Sequence, residues 1–101
     1  GDPFQQPEPF AYMAEQFHKN GVNIWCFTGF TFEELLSLAK TDNNVQRMLD
    51  NIDVIVDGPF DEHKMSEQIR YRGSYNQRII DVPNSLKQGK VVVLDLDHED
   101  L

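Results

Sequence analysis

Hydrophobic positions along this chain fall into two spacings, and the alternation between them lays out its elements. Phe10, Met13, Ala14 and Phe17 repeat at helical intervals, and Asn20-Gly21 ends the run with residues that tolerate positive φ, which predicts a helix over 9–19. Ile24, Trp25, Cys26 and Phe27 follow without a polar break, the composition of a strand covered on both faces. Thr28-Gly29 turns the chain. Thr31 and Glu34 then stand at the spacing of a reciprocal capping box, and Phe32, Leu35, Leu36 and Ala39 recur at i, i+3, i+4 and i+7. Residues 24–36 therefore read as strand, loop and helix, with the loop at the strand end where α/β folds bind ligands.

Asp42 is the expected N-cap of another helix, with Val45, Met48, Leu49 and Ile52 on one face. The acid-bounded run 53–57 predicts a second buried strand, ending at the turn Asp57-Gly58-Pro59-Phe60. Residues 61–68 are polar and carry no assignment. A short extended piece is expected over 69–74, a strand over 78–82 stopped by Pro83-Asn84, a linker turn over 85–88 and a last strand over 90–94. Helices alternating with buried strands give the α/β class, and short connections favour parallel neighbours.

At 101 residues the chain is one domain at most, and 40% hydrophobic content excludes a disordered tail. A net charge of −8 argues against nucleic acid as a partner, since phosphate backbones are held by clustered Lys and Arg. No apolar run reaches membrane-spanning length, and Cys26, the single cysteine, has no partner for an internal disulfide. An acidic, soluble, cytoplasmic protein is expected. Its first residue is Gly1 rather than Met, so the chain reads as part of something longer, as processed, or as engineered.

Two predicted strands end beside glycine, at Thr28-Gly29 and Asp57-Gly58. On parallel neighbours these turns share one sheet edge, where Thr28 and Asp57 can hydrogen-bond a ligand's hydroxyl or ammonium groups and glycine admits close approach. Such pairs are also ordinary turn chemistry. Arg70, Arg72 and Arg78 concentrate cations in an acidic chain; they suit a partner's carboxylates, or pair with local acids on a solvated loop. Cys26 reads as core. Asp61-Glu62-His63 and Asp95, Asp97 and His98 match no defined metal spacing, and the acidic tail over 95–101 reads as solvated.

Four blocks occur in order: Gly1-Asp2-Pro3-Phe4; Asn23-Ile24-Trp25-Cys26-Phe27-Thr28-Gly29-Phe30 with Glu33-Glu34-Leu35; Asp53-Val54-Ile55-Val56-Asp57-Gly58-Pro59-Phe60; and Arg72-Gly73-Ser74-Tyr75-Asn76-Gln77-Arg78. Together they resemble the activating proteins of anaerobic ribonucleoside-triphosphate reductase, which are radical S-adenosylmethionine (SAM) enzymes. The resemblance implies a partial TIM-like barrel of parallel strands and flanking helices, with strand ends surrounding SAM and a 4Fe-4S cluster. Gly1, Asp2 and Pro3 match the end of a Gly-Gly-Asp/Glu-Pro motif that contacts the SAM amino group. Thr28, Gly29 and Asp57 lie at the neighbouring strand mouths, while Pro59 stands where many relatives have Lys.

The family's Cys-x-x-x-Cys-x-x-Cys motif is not in this sequence, and one cysteine cannot replace three cluster thiolates. The resemblance therefore implies a C-terminal portion of a radical SAM domain, inactive alone and binding no cofactor. In the intact parent, the reduced cluster would cleave SAM to a 5'-deoxyadenosyl radical that takes hydrogen from a glycine of the reductase large subunit. The alternative is a non-catalytic α/β module that docks a protein through the arginines of 70–78. The sheet edge of such a portion is covered either by a homodimer or by another segment.

Overall fold

A computed structural model of the chain describes residues 1–97, in the order α1 (Pro7–Lys19), β1 (Trp25–Phe27), α2 (Phe32–Ala39), α3 (Asn43–Asn51), β2 (Val54–Asp57), β3 (Arg78–Asp81) and α4 (Val82–Gln88). The predicted caps fold as their spacing requires. Thr31 Oγ1 accepts from the Glu34 N–H while Glu34 Oε1 accepts from the Thr31 N–H, closing the capping box of α2. Asp42 caps α3, and Val45, Met48, Leu49 and Ile52 are all buried.

The sheet has three strands in the order β1-β2-β3 and does not close into a barrel. β1 and β2 are parallel, pairing Trp25 with Val54, Cys26 with Ile55 and Phe27 with Val56. β3 corrects the all-parallel expectation: it runs antiparallel to β2, with Asp57 opposite Arg78. A parallel return needs a crossover to the opposite end of the sheet, usually a helix, and 58–77 contains only the 3₁₀ turn Glu62–Lys64. The chain instead turns back where β2 ends.

One sheet face carries Cys26, Ile55 and Ile80 against the helices, in a core with Ala11, Phe32, Leu35, Met48 and Leu49. The other carries Val54, Val56 and Ile79, with Trp25 and Leu94 packed on them. β2 is buried throughout, as its apolar run requires, whereas β1 is an edge strand whose Phe27 is 54% exposed. Full coverage of 24–27 is thus not realised. On α1 the buried positions are Ala11 and Ala14, because small side chains let α1 approach α3; Phe10, Met13 and Phe17 stay partly exposed beside the free edge of β1.

Four further expectations change over 69–94. Pro83 does not simply stop a strand: it lies in the first turn of α4, where its missing N–H costs nothing, and Asp81 caps that helix through the Asn84 N–H. The expected linker at 85–88 is therefore helical, ending at Gly89 with φ of 71°. The last strand over 90–94 reduces to one antiparallel bridge, Ile80 to Val93, and the piece expected over 69–74 is irregular, with bends at 71–74. Residues 98–101, including His98 and the end of the acidic tail, lie outside the described residues.

Candidate functional site

The C-terminal ends of β1 and β2 meet the N-terminal residues in an open depression of about 340 Å³, lined by Gly1, Asp2, Pro3, Phe27, Thr28, Gly29, Gly58, Phe60 and Gln77. Asp2 ties it together. Its carboxylate accepts from the Phe4 N–H at 3.0 Å, from Thr28 Oγ1 at 3.0 and 2.9 Å, and from the Gly29 N–H at 2.8 Å. Residues far apart in sequence are thereby held at one strand end.

The amide donors at this mouth are engaged internally. Thr28 N–H donates to the Val56 carbonyl at 3.0 Å, Phe30 N–H to Thr28 Oγ1 at 3.1 Å, and Gly58 N–H to the Phe30 carbonyl at 2.8 Å. Gly58 adopts a φ of 94°, a conformation that glycine reaches without a Cβ clash. With Gly29 N–H held by Asp2, the mouth keeps these amides from a ligand and carries the negative charge of the Asp2 carboxylate. It suits a ligand that brings cationic or N–H groups and makes a poor phosphate cradle.

Asp57 lies behind this surface. It is 1% exposed and accepts from the Phe32 N–H at 2.7 Å, and from Arg78 through its backbone N–H at 3.3 Å, Nε at 3.1 Å and Nη2 at 2.6 Å. Arg78 reaches Glu33 as well, Nη2 to Oε1 at 2.6 Å. Asp57 first, then Glu33, hold the guanidinium protonated well above its ordinary range, and the Arg78 hydrogen bond lowers the pKa of Glu33. Arg70 and Arg72 sit elsewhere, on the loop that packs Tyr71 against Trp25.

Gln77 is a site residue that sequence reasoning passed over. Its Oε1 accepts from Gly73 N–H at 2.8 Å and Ser74 N–H at 3.2 Å, while Nε2 donates to the Gly58 carbonyl at 2.8 Å. This amide joins the 58–60 turn to the loop before β3. Its signal was a polar run, Gly73-Ser74-Tyr75-Asn76-Gln77, leading straight into an apolar strand.

A family model described as a 4Fe-4S single cluster domain matches residues 1–80. The chain belongs to the 4Fe-4S single cluster domain family. It is also similar to the anaerobic ribonucleoside-triphosphate reductase-activating protein of Pasteurella multocida, at 39% identity over 57 residues, covering 56% of this chain and 34% of that protein. The protein of the same name from Vibrio cholerae is 40% identical over 57 residues, covering 56% of this chain and 33% of its own length. The matched stretch thus spans about a third of these curated relatives. No solved structure matches.

The family is named for a 4Fe-4S cluster, and the described residues do not fit one. They contain no grouping of three His, Cys, Asp or Glu side chains able to hold a metal, so neither Asp61-Glu62-His63 nor Asp95 and Asp97 builds such a site. Cys26 faces the helical core; burial, reinforced by the charge of Asp2, pushes its thiol up to about 12, the opposite of what a thiolate ligand needs. No helix among the described residues is long and apolar enough to cross a membrane.

Proposed function

We propose that this chain is part of a radical SAM activating enzyme that raises a glycyl radical on the large subunit of anaerobic ribonucleotide reductase, and that it supplies one side of the SAM site without the cluster. The observation that carries this reading is the mouth itself, where Gly1, Asp2, Pro3, Thr28 and Gly29 converge around the Asp2 carboxylate. SAM brings an ammonium group and a sulfonium cation, and a mouth whose amides are engaged internally suits those charges. Asp2 adds negative charge there while orienting the Gly29 turn. Asp57 acts one layer behind, fixing Arg78 and the first turn of α2 so that the Gly58 bend keeps its place. Bound SAM would supply the radical precursor, and this chain's residues would bind and orient it.

The deciding observation is the coding sequence immediately before Gly1. A Cys-x-x-x-Cys-x-x-Cys segment in frame there is expected, and its absence removes the assignment. For the chain alone, treatment with iron and sulfide should give no stoichiometric 4Fe-4S absorption band, because one buried thiol cannot provide the ligand set.

A further inference from the structure

On the loop before β3, the chain's own Asp97 occupies a carboxylate seat. Asp97 Oδ1 accepts from the backbone N–H of Arg70 at 2.5 Å and of Tyr71 at 3.1 Å; Oδ2 lies 3.2 Å from the Tyr71 nitrogen and 3.5 Å from Arg72 Nε. Successive backbone N–H groups converging on one anion form a nest, and the guanidinium supplies the opposing charge. The Asp97 side chain is only 2% exposed, although its neighbours Asp95 and Leu96 are exposed.

The fit is incomplete. Arg72 Nε is buried and makes no hydrogen bond, its contact with Asp97 being an ion pair at 3.5 Å. Arg72 cannot readily swing to close that gap. Its Nη1 donates to the Gln77 carbonyl at 3.1 Å, and the guanidinium lies 5.4 Å from the centre of the Tyr75 ring. Asp97 is restrained from its own side, because Leu94 N–H is bound to the Ile79 carbonyl at 2.7 Å, three residues earlier. An external carboxylate carries no such tether and can meet both amides and Nε together.

We propose that the seat formed by Arg70, Tyr71 and Arg72 binds an acidic side chain of a partner protein, which enters by displacing Asp97. The C-terminal segment is then a tethered competitor. Short tethers give effective concentrations of about millimolar or more, so a free carboxylate in dilute solution does not compete, whereas one delivered by a docked partner does. The chain's charge of −8 gives no long-range steering toward such a partner, so recognition rests on the short contacts.

Asp97→Ala in the full chain empties the seat, and sodium acetate is the probe. Trp25 packs against Tyr71 with ring centroids 5.8 Å apart and the planes tilted by 39°, so its fluorescence reports the state of the seat. The expected result is a changed Trp25 emission in Asp97→Ala that acetate, but not chloride at equal ionic strength, restores with saturation. A blocked tetrapeptide containing one aspartate should restore it as well, because the seat recognises the carboxylate. Adding Arg72→Ala should abolish both responses, and the wild type should respond to neither probe. Equal responses to acetate and chloride in Asp97→Ala, with far-ultraviolet circular dichroism unchanged, overturn the proposal, as does an acetate response that survives Arg72→Ala. Should Asp97→Ala not fold, Asp97→Ser, whose hydroxyl is too short to reach both amides, is read by the same criteria.

Discussion

Replacing Asp57 by alanine tests the assignment of that carboxylate as a support for the mouth. The substitution leaves the Phe32 N–H without its acceptor at the start of α2 and leaves Arg78, among the described residues, with Glu33 as its remaining carboxylate. Breaking a buried ion pair from one side costs about 3–5 kcal/mol. Arg78 is 34% exposed, so water recovers part of that loss. An orphaned buried donor adds about 1–3 kcal/mol, and the two effects overlap because one carboxylate serves both. The expected net loss is about 3 kcal/mol, a large part of the roughly 5–15 kcal/mol that holds a domain folded. With a urea m-value of about 1 kcal/mol/M, the midpoint should fall by about 3 M, or the variant should be largely unfolded in buffer. Urea titration followed by circular dichroism at 222 nm measures it. Asp57→Asn, which keeps an acceptor for Phe32 but not the charge, should lose roughly half as much. A double-mutant cycle with Arg78→Ala should give a coupling of about 2 kcal/mol. An Asp57→Ala midpoint within about 0.5 M of wild type would refute the reasoning.

Glu33 has its pKa lowered from the ordinary 4.5 by Arg78, so its stabilisation is present above that pH and is lost as pH falls through the depressed folded value. Because the side chain is 60% exposed, Glu33→Gln should remove less than about 1 kcal/mol, seen as a shallower loss of stability in titrations from pH 5 to pH 3. Gly73→Ala would place a Cβ 2.9 Å from Phe60 Cδ1 and 3.1 Å from Gln77 Oε1. It should destabilise by about 1 kcal/mol and speed hydrogen exchange at Gly58 and Ser74; unchanged exchange at both would show that the ring simply moves aside. Cys26, with its thiol pushed up to about 12, should resist iodoacetamide at pH 8 in the native chain and react rapidly in urea, and equal rates would remove it from the core.

Local chemistry made much of this fold legible. Thr31 with Glu34, and Asp42 before Val45, announce helices because caps act within a few residues. β2 was readable because all four of its residues are buried and its run is bounded by acids. The direction of β3 was not, since strand direction depends on what the connection can span, and the apolar run at 78–82 looks the same either way. Val82 and Pro83 belong to α4 rather than to the end of a strand, because a strand stop and a helix start use the same residues. At the site, Asp2, Thr28 and Gly29 were named together and meet. Asp57 and Arg78 were named for separate tasks, and only the antiparallel register puts them opposite each other. Asp97 could not be found from composition, because an acidic tail residue becomes buried only through nest geometry set by the loop it meets.

The strand pairings have a kinetic consequence. β1 reaches β2 across both α2 and α3, with Trp25 opposite Val54, and β2 reaches β3 across a loop with little regular structure. Neither pairing is local, whereas α2 and α3 are adjacent in sequence and pack on each other. Contacts of high sequence separation pay their loop-closure entropy before they gain anything, so the helical pair can organise early while the sheet waits. During that interval the run Val54-Ile55-Val56 has neither neighbour in place, which makes refolding yield, more than native stability, the property most sensitive to protein concentration.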